Sequence, residues 1–433
     1  MDIRKDSRMK QANALEALNS GMVPSDVSLL REVTTGVDDL TGFLKKHYLE
    51  DYIPQGGSKI KFLTGRSGSG KTHMARILLE EARESGYITV SFSAKEVVLY
   101  DFREIYLEIL RQCDLEMILQ GCADRIIREM DHDPTVIPEG KSFMDYLSER
   151  HEADAISKSS IRGILRKWFT KNPVLDNGFA SCCSLLTGGM LGHPFLETAN
   201  KELILAFMHG DKTIKLSQIR ALGLSASRIT KYNARHLLRS LAEVIHLSGH
   251  KGLLVMIDDM EALLNRGADG SIKYTKLRRE DTYESIRQLI DDIDSMRYIM
   301  FFMLFDRELM DSENYGLKSY QALWMRIQNE VVGAKFNRFA DILDLDRYGD
   351  QIYSGETLQE MAGKFCKVLI PAGYPVHLLT EAQTRDLIHR SEYGGLGLPF
   401  LVTQAIHFPE NAANGQPEHG EEVMEGGNDH VGL

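Results

Sequence analysis

Apolar positions along the chain follow two rhythms. Five short runs are almost continuously apolar: SKIKFLTG (58–65), YITVSFS (87–93), GLLVMIDD (252–259), YIMFFMLF (298–305) and ADILDLDR (340–347). Runs of this length, bounded by glycine or acids, read as strands buried on both faces, as in a parallel sheet. Elsewhere apolar residues recur every three or four positions. Met74, Ile77, Leu78 and Ala82 share one face of a helix that stops at Gly86. Tyr283, Ile286, Leu289, Ile290 and Ile293 share a face of another, predicted over 282–296. Strand, glycine-rich loop, helix and strand between 58 and 93 make a βαβ unit.

The same patterning divides the chain. Residues 1–58 read as a helical segment: a helix near 7–20, a loop broken by Gly21 and Pro24, and a helix near 37–52. Residues 59–350 carry all five strands, interrupted over 97–249 by an insert with only helical periodicity. Residues 351–407 are helical again. From residue 408 there are six acids, five glycines and no Lys or Arg, which predicts a disordered acidic tail without chemistry.

Composition narrows the class. The chain of 433 residues is 43% apolar and 26% charged, with a net charge of −11. That is ordinary for a soluble protein and argues against attraction of the whole molecule to nucleic acid or anionic membrane. The five cysteines form no CxxC pair, so reduced, unligated thiols are expected. The start lacks the apolar core of a signal peptide, and no apolar run is long enough to span a bilayer. A cytoplasmic protein with no membrane partner is the expectation.

Candidate chemistry centres on GRSGSGKT, residues 65–72. The spacing of Gly65, Gly70, Lys71 and Thr72 is that of a phosphate-binding loop, with a strand leading in and a helix leading out. Backbone N–H groups of Gly65, Arg66, Ser67, Gly68, Ser69 and Gly70 would close around phosphates, helped by the helix N-terminus. Lys71, read as an exposed loop residue, would reach the β- and γ-phosphates, and Thr72 would offer its hydroxyl to Mg²⁺. A second, carboxylate-bearing strand should complete the Mg²⁺ site. Asp258, closing LLVMID, fits that role, with Asp259 and Glu261 behind it. ATP and Mg²⁺ are the implied ligands.

The order of these elements resembles the AAA+ branch of P-loop ATPases. ALNSGMVPSDVSLLREVTTGVDDL, FLTGRSGSGKTHMARILLEEARESGY, LRSLAEVIHLSGHKGLLVMIDDMEALL and KSYQALWMRI together resemble the BrxC- and BrxD-like ATP-binding proteins of BREX-type phage defence, which are related to the origin-recognition and Cdc6 branch. The ATPases of Shango-type defence operons look similar as well. The resemblance covers most of residues 10–350. It implies an α/β AAA+ fold with a five-stranded parallel sheet, a helical insert and a C-terminal helical lid over 351–407. It further implies ATP hydrolysis, oligomers formed with nucleotide, and other defence proteins as partners, namely a helicase or modification and nuclease components. A nucleotide-gated assembly switch with little hydrolysis is the alternative.

Carried over by position, the resemblance meets departures. The water-polarising glutamate expected after Asp258 is here Asp259, one methylene shorter, which leaves Asp259 or Glu261 for that role. Asp306 and Arg307 stand where a small polar residue would touch the γ-phosphate, and an aspartate there would repel a triphosphate. YGGLGLPFLVTQ in the lid lacks the arginine often found at a helix start. Arg326 sits where the resemblance implies an arginine offered to a neighbouring subunit's ATP.

Basic residues cluster twice. From Lys201 to Arg239 there are eight Lys or Arg and two acids, and part of this stretch reads as a helix-turn-helix able to dock DNA or RNA phosphates. Lys231 and Arg235, four apart, are expected on one helical face. Lys273, Lys276, Arg278 and Arg279 are expected in a polar loop facing a channel. A solvated face balancing acids elsewhere is the other reading of both.

Overall fold

The computed structural model describes residues 12–225, 227–264, 274–331 and 336–407. The five apolar runs form one parallel sheet: β1 (Ser58–Gly65), β2 (Ile88–Ser93), β3 (Leu253–Asp258), β4 (Ile299–Asp306) and β5 (Ile342–Asp344). Their order is β2-β3-β4-β1-β5. β1, β3 and β4 lie inside the sheet, and their burial on both faces, broken only at Lys59, Asp258 and Asp306, explains why they read as continuous rather than alternating runs. The register aligns Gly65 with Asp306 and Ser93 with Asp258. Four polar or glycine positions therefore arrive together at the C-terminal edge, where ligands settle in open α/β sheets.

Successive residues face opposite sides, and each side has its own core. Phe62, Val90, Val255, Ile257, Phe301 and Met303 pack beneath the helical insert. The amphipathic helix Ala234–Leu247 buries Leu238, Leu241, Val244 and Ile245 in that same core, so insert and sheet share one apolar interior. On the opposite side, Leu63, Met256 and Phe302 meet Met74 and Leu78 of the helix Lys71–Glu84. Lys61 of β1 is also fully buried there. Its ammonium donates to Ala340 O at 2.7 Å and lies 4.7 Å from the Tyr48 ring.

A third core joins the N-terminal region to the lid. Leu18, Leu29 and Val33 pack with Leu358, Met361 and Val402. The C-terminal segment expected as a lid forms the helices Gly355–Leu369, Glu381–Tyr393 and Leu398–His407. The N-terminal segment is thus divided: its first part packs with the lid, while the helix Asp38–Leu44 and the wider-pitched turn Lys45–Tyr52 join the sheet. All five cysteines are buried and free.

Several expectations are corrected. The helix predicted over 282–296 spans Lys276–Asp292, begun by the Thr275 hydroxyl accepting from Arg278 N–H at 3.4 Å. Lys276, Arg278 and Arg279 therefore lie in its first turns rather than in a loop. Among the described residues the expected helix-turn-helix is not formed: helix Leu216–Ala221 ends at 221 and the next, Ala234–Leu247, begins only at 234, too far on for the tight turn that motif requires. Lys273 and residues 408–433 lie outside the described residues. Among the described residues, no helix is long and apolar enough to cross a membrane.

Candidate functional site

The phosphate loop leaves β1 at Gly65 and turns into the helix Lys71–Glu84, whose N-cap is Gly70. Gly68 takes φ +76°, and a Cβ on it would fall 2.3 Å from Phe400 Cβ, so the loop sequence needs glycine there on two counts. Thr72 Oγ1 donates to Asp258 Oδ2 at 3.0 Å. The two proposed Mg²⁺ ligands are therefore already in contact. Both are hard oxygen donors, a set that suits Mg²⁺. Burial raises the Asp258 carboxyl above its ordinary range.

Lys71 is not an exposed loop residue. It is the first residue of its helix and 8% exposed. Its ammonium donates to Gly65 O at 3.2 Å, Arg66 O at 3.0 Å and Asp306 Oδ1 at 2.6 Å. Asp306 thus stands in the cleft facing the lysine. Its neighbour Arg307 turns away to Asp344 and Asp346.

Behind the Thr72–Asp258 pair stand two more acids with different surroundings. Asp259 takes φ +58° and is held by Ser93 Oγ, which donates at 2.6 Å, and by Lys95 Nζ at 2.9 Å. That ion pair raises the Lys95 ammonium above its usual range. Glu261, in the turn Met260–Leu264, accepts from Asp306 N–H at 3.3 Å. Burial first, then Asp306, Asp259 and Asp258, push the Glu261 carboxyl up to about 7.

A cleft of about 630 Å³ connects these groups to an apolar end. Met22, Val23 and Pro24 form one wall there, and Phe365, Pro399 and Phe400 of the lid form the other. The N-terminal wall is fastened to the phosphate-loop helix. Arg76 donates to Val23 O at 2.6 Å and Pro24 O at 2.9 Å, and His73 Nε2 lies 2.8 Å from Thr34 Oγ1. Burial lowers His73 to about 4, so it is neutral at ordinary pH. The cleft is thus lined by polar and charged groups at the loop end and by apolar side chains at the other.

The lid braces the loop from outside. Gly397 N–H donates to Ser67 O at 2.8 Å and Phe400 N–H to Gly68 O at 3.2 Å. Arg66 N–H donates to Asp346 Oδ2 at 2.9 Å, and its guanidinium reaches Gly394 O at 3.2 Å and also Ser391 O. The stretch YGGLGLPFLVTQ, residues 393–404, has no arginine of its own; an arginine crosses to its start from the loop. Sequence reading missed Lys95, His73 and Arg76, although their sites beside β2 and along one helix face were available signals.

The remaining candidates lie outside the cleft. Arg326 sits on the helix Gln321–Val331 and pairs through two nitrogens with Asp291, at 3.0 and 3.2 Å. Arg235 is drawn inward to Asp292 at 2.9 Å and Gln288 at 2.6 Å. Lys231 lies before that helix begins, so the two do not share a helical face. Arg279 is 8% exposed and donates to Leu263 O at 3.2 Å, which removes it from any channel surface. Arg278 lies over the Tyr100 ring, and Lys276 remains exposed.

Over residues 7–388 the chain matches the family described as BREX system ATP-binding protein BrxC/D, and it belongs to that family. No curated protein and no solved structure matches the chain.

Proposed function

Taking family membership as the premise, we propose that the chain is an AAA+-type ATPase of phage defence that hydrolyses ATP to remodel or load partner proteins on nucleic acid. One observation carries the reading: the Thr72 hydroxyl and Asp258 carboxylate meet at 3.0 Å beside Lys71, at the mouth of a cleft with an apolar far end. Thr72 and Asp258 would hold Mg²⁺, which neutralises charge developing on the transferred phosphoryl group. Loop N–H groups between Gly65 and Gly70 orient the phosphates, that of Arg66 only once it leaves Asp346, and Lys71 contacts the β- and γ-phosphates once it exchanges partners. Glu261 is the better-placed acid for the attacking water, because Asp259 is already tied to Lys95 and Ser93. The lid and N-terminal wall close over the base and exclude water.

Arg326 is proposed to serve a neighbouring subunit's ATP in a nucleotide-dependent oligomer, which requires its release from Asp291. Partners are other components of a BREX or Shango-type operon, acting in the cytoplasm. DNA docking falls to Lys231, Lys276 and Arg278, which are exposed.

A second reading is favoured by the occupied state of Asp259: a nucleotide-gated assembly switch in which hydrolysis only resets the protein. Turnover with and without DNA, measured beside solution mass with and without nucleotide, separates them. Robust DNA-stimulated turnover supports the ATPase; assembly on ATP binding with negligible turnover supports the switch. No nucleotide binding at all defeats both.

A further inference from the structure

β4 delivers Asp306 directly opposite Gly65, the first residue of the loop, and its carboxylate accepts from the Lys71 ammonium at 2.6 Å. Three acceptors surround the Lys71 ammonium, so its three donors are all engaged: Gly65 O, Arg66 O and Asp306 Oδ1. The other cations of the cleft are also committed, Lys95 to Asp259 and Arg76 to the carbonyls of Val23 and Pro24. A terminal phosphate that recruits Lys71 therefore leaves Asp306 without its counter-ion, facing new negative charge. Asp258, Asp259 and Glu261 line the same cleft and supply no compensation. A diphosphate takes only one of the two phosphate contacts of Lys71 and brings less negative charge toward Asp306. The conflict grows with the third phosphate, not the second.

We propose that Asp306 is a selectivity residue that makes this site prefer nucleoside diphosphate over triphosphate, with the Lys71–Asp306 pair as the latch of the resting state. The proposal rests on the nucleotide-binding reading above. Triphosphate enters when a divalent cation at Thr72 and Asp258 offsets part of its charge, and the latch then opens.

Calorimetric titration of the full chain with Mg·ADP and with the Mg complex of the β,γ-imido analogue of ATP tests this. Wild type should bind the diphosphate at least about tenfold more tightly. Asp306→Asn should tighten triphosphate binding by about tenfold or more while moving diphosphate binding by less than about threefold. Asp306→Glu, which keeps the charge, should keep the preference, so a general disturbance of the fold is distinguished from loss of charge. Equal affinities in wild type, or parallel shifts of both nucleotides in Asp306→Asn, overturn the proposal while leaving nucleotide binding intact. Binding of neither nucleotide by wild type overturns the functional reading with it.

Discussion

Gly397 N–H donates to Ser67 O at 2.8 Å, so the lid's backbone is hydrogen-bonded to the backbone of the phosphate loop. The contact is close enough that a Cβ on Gly397 would lie 2.5 Å from Ser69 N and Cα. Neither atom can move without moving the loop. Gly397→Ala should therefore distort the phosphate site and weaken fluorescent nucleotide binding by about tenfold or more, with the sheet intact by circular dichroism. Unchanged affinity would show that lid and loop are energetically independent.

Lys71→Ala should abolish most triphosphate affinity by calorimetry. Because Lys71 is buried and also holds the carbonyls of Gly65 and Arg66, the variant should lose stability as well, by about 1–3 kcal/mol in urea unfolding. Retained ATP affinity would sink the nucleotide reading.

Glu261→Gln should keep ATP binding and lose most turnover, while Asp259→Asn should have the smaller effect because Asp259 is held by Lys95 and Ser93. Single-turnover hydrolysis measures both. The reverse ranking would transfer the water-polarising role to Asp259.

Glu261 also predicts a pH dependence of stability. Its folded pKa of about 7 lies above the ordinary 4.5, so the native protein holds a proton that the unfolded chain releases between those values. This contribution is full below about pH 4.5 and is lost as pH rises through about 7. Relative to Glu261→Gln, wild type should lose about 3 kcal/mol across that window in urea titrations. Parallel pH profiles of the two proteins would remove Glu261 as the source.

Arg326→Ala should leave nucleotide affinity of the isolated subunit within about twofold and weaken nucleotide-dependent assembly or turnover by about tenfold or more. Sedimentation with and without nucleotide, beside turnover, reads both. A monomer with full activity would reduce Arg326 to its surface pair with Asp291.

The strands, the phosphate loop and Asp258 were legible because each is written in a few adjacent residues: an apolar run, a glycine spacing, an acid closing a strand. The positions that failed depend on what the fold brings from afar. Lys71 reads as exposed until Asp306, from a strand over two hundred residues later, is placed against it. Arg279 and Arg235 look like surface cations because a basic cluster records charge but not which way each side chain turns. The tight turn expected between two insert helices failed because glycine at 223 marks one bend within a longer connection, residues 222–233. Arg66 reads as a phosphate contact through its place in the loop, and only the lid's position reveals its bonds to Ser391 and Gly394.

The core that joins Leu18, Leu29 and Val33 to Leu358, Met361 and Val402 has a consequence during synthesis. The N-terminal wall leaves the ribosome early but finds its packing partners only after the lid has been made. At roughly 5–20 residues per second, the phosphate loop waits tens of seconds for Gly397 and Phe400 to brace it. A half-made chain therefore exposes apolar Leu18, Leu29 and Val33 to chaperones and lacks the walls needed to capture nucleotide. The ability to bind arises late, when nearly all of the described fold has emerged.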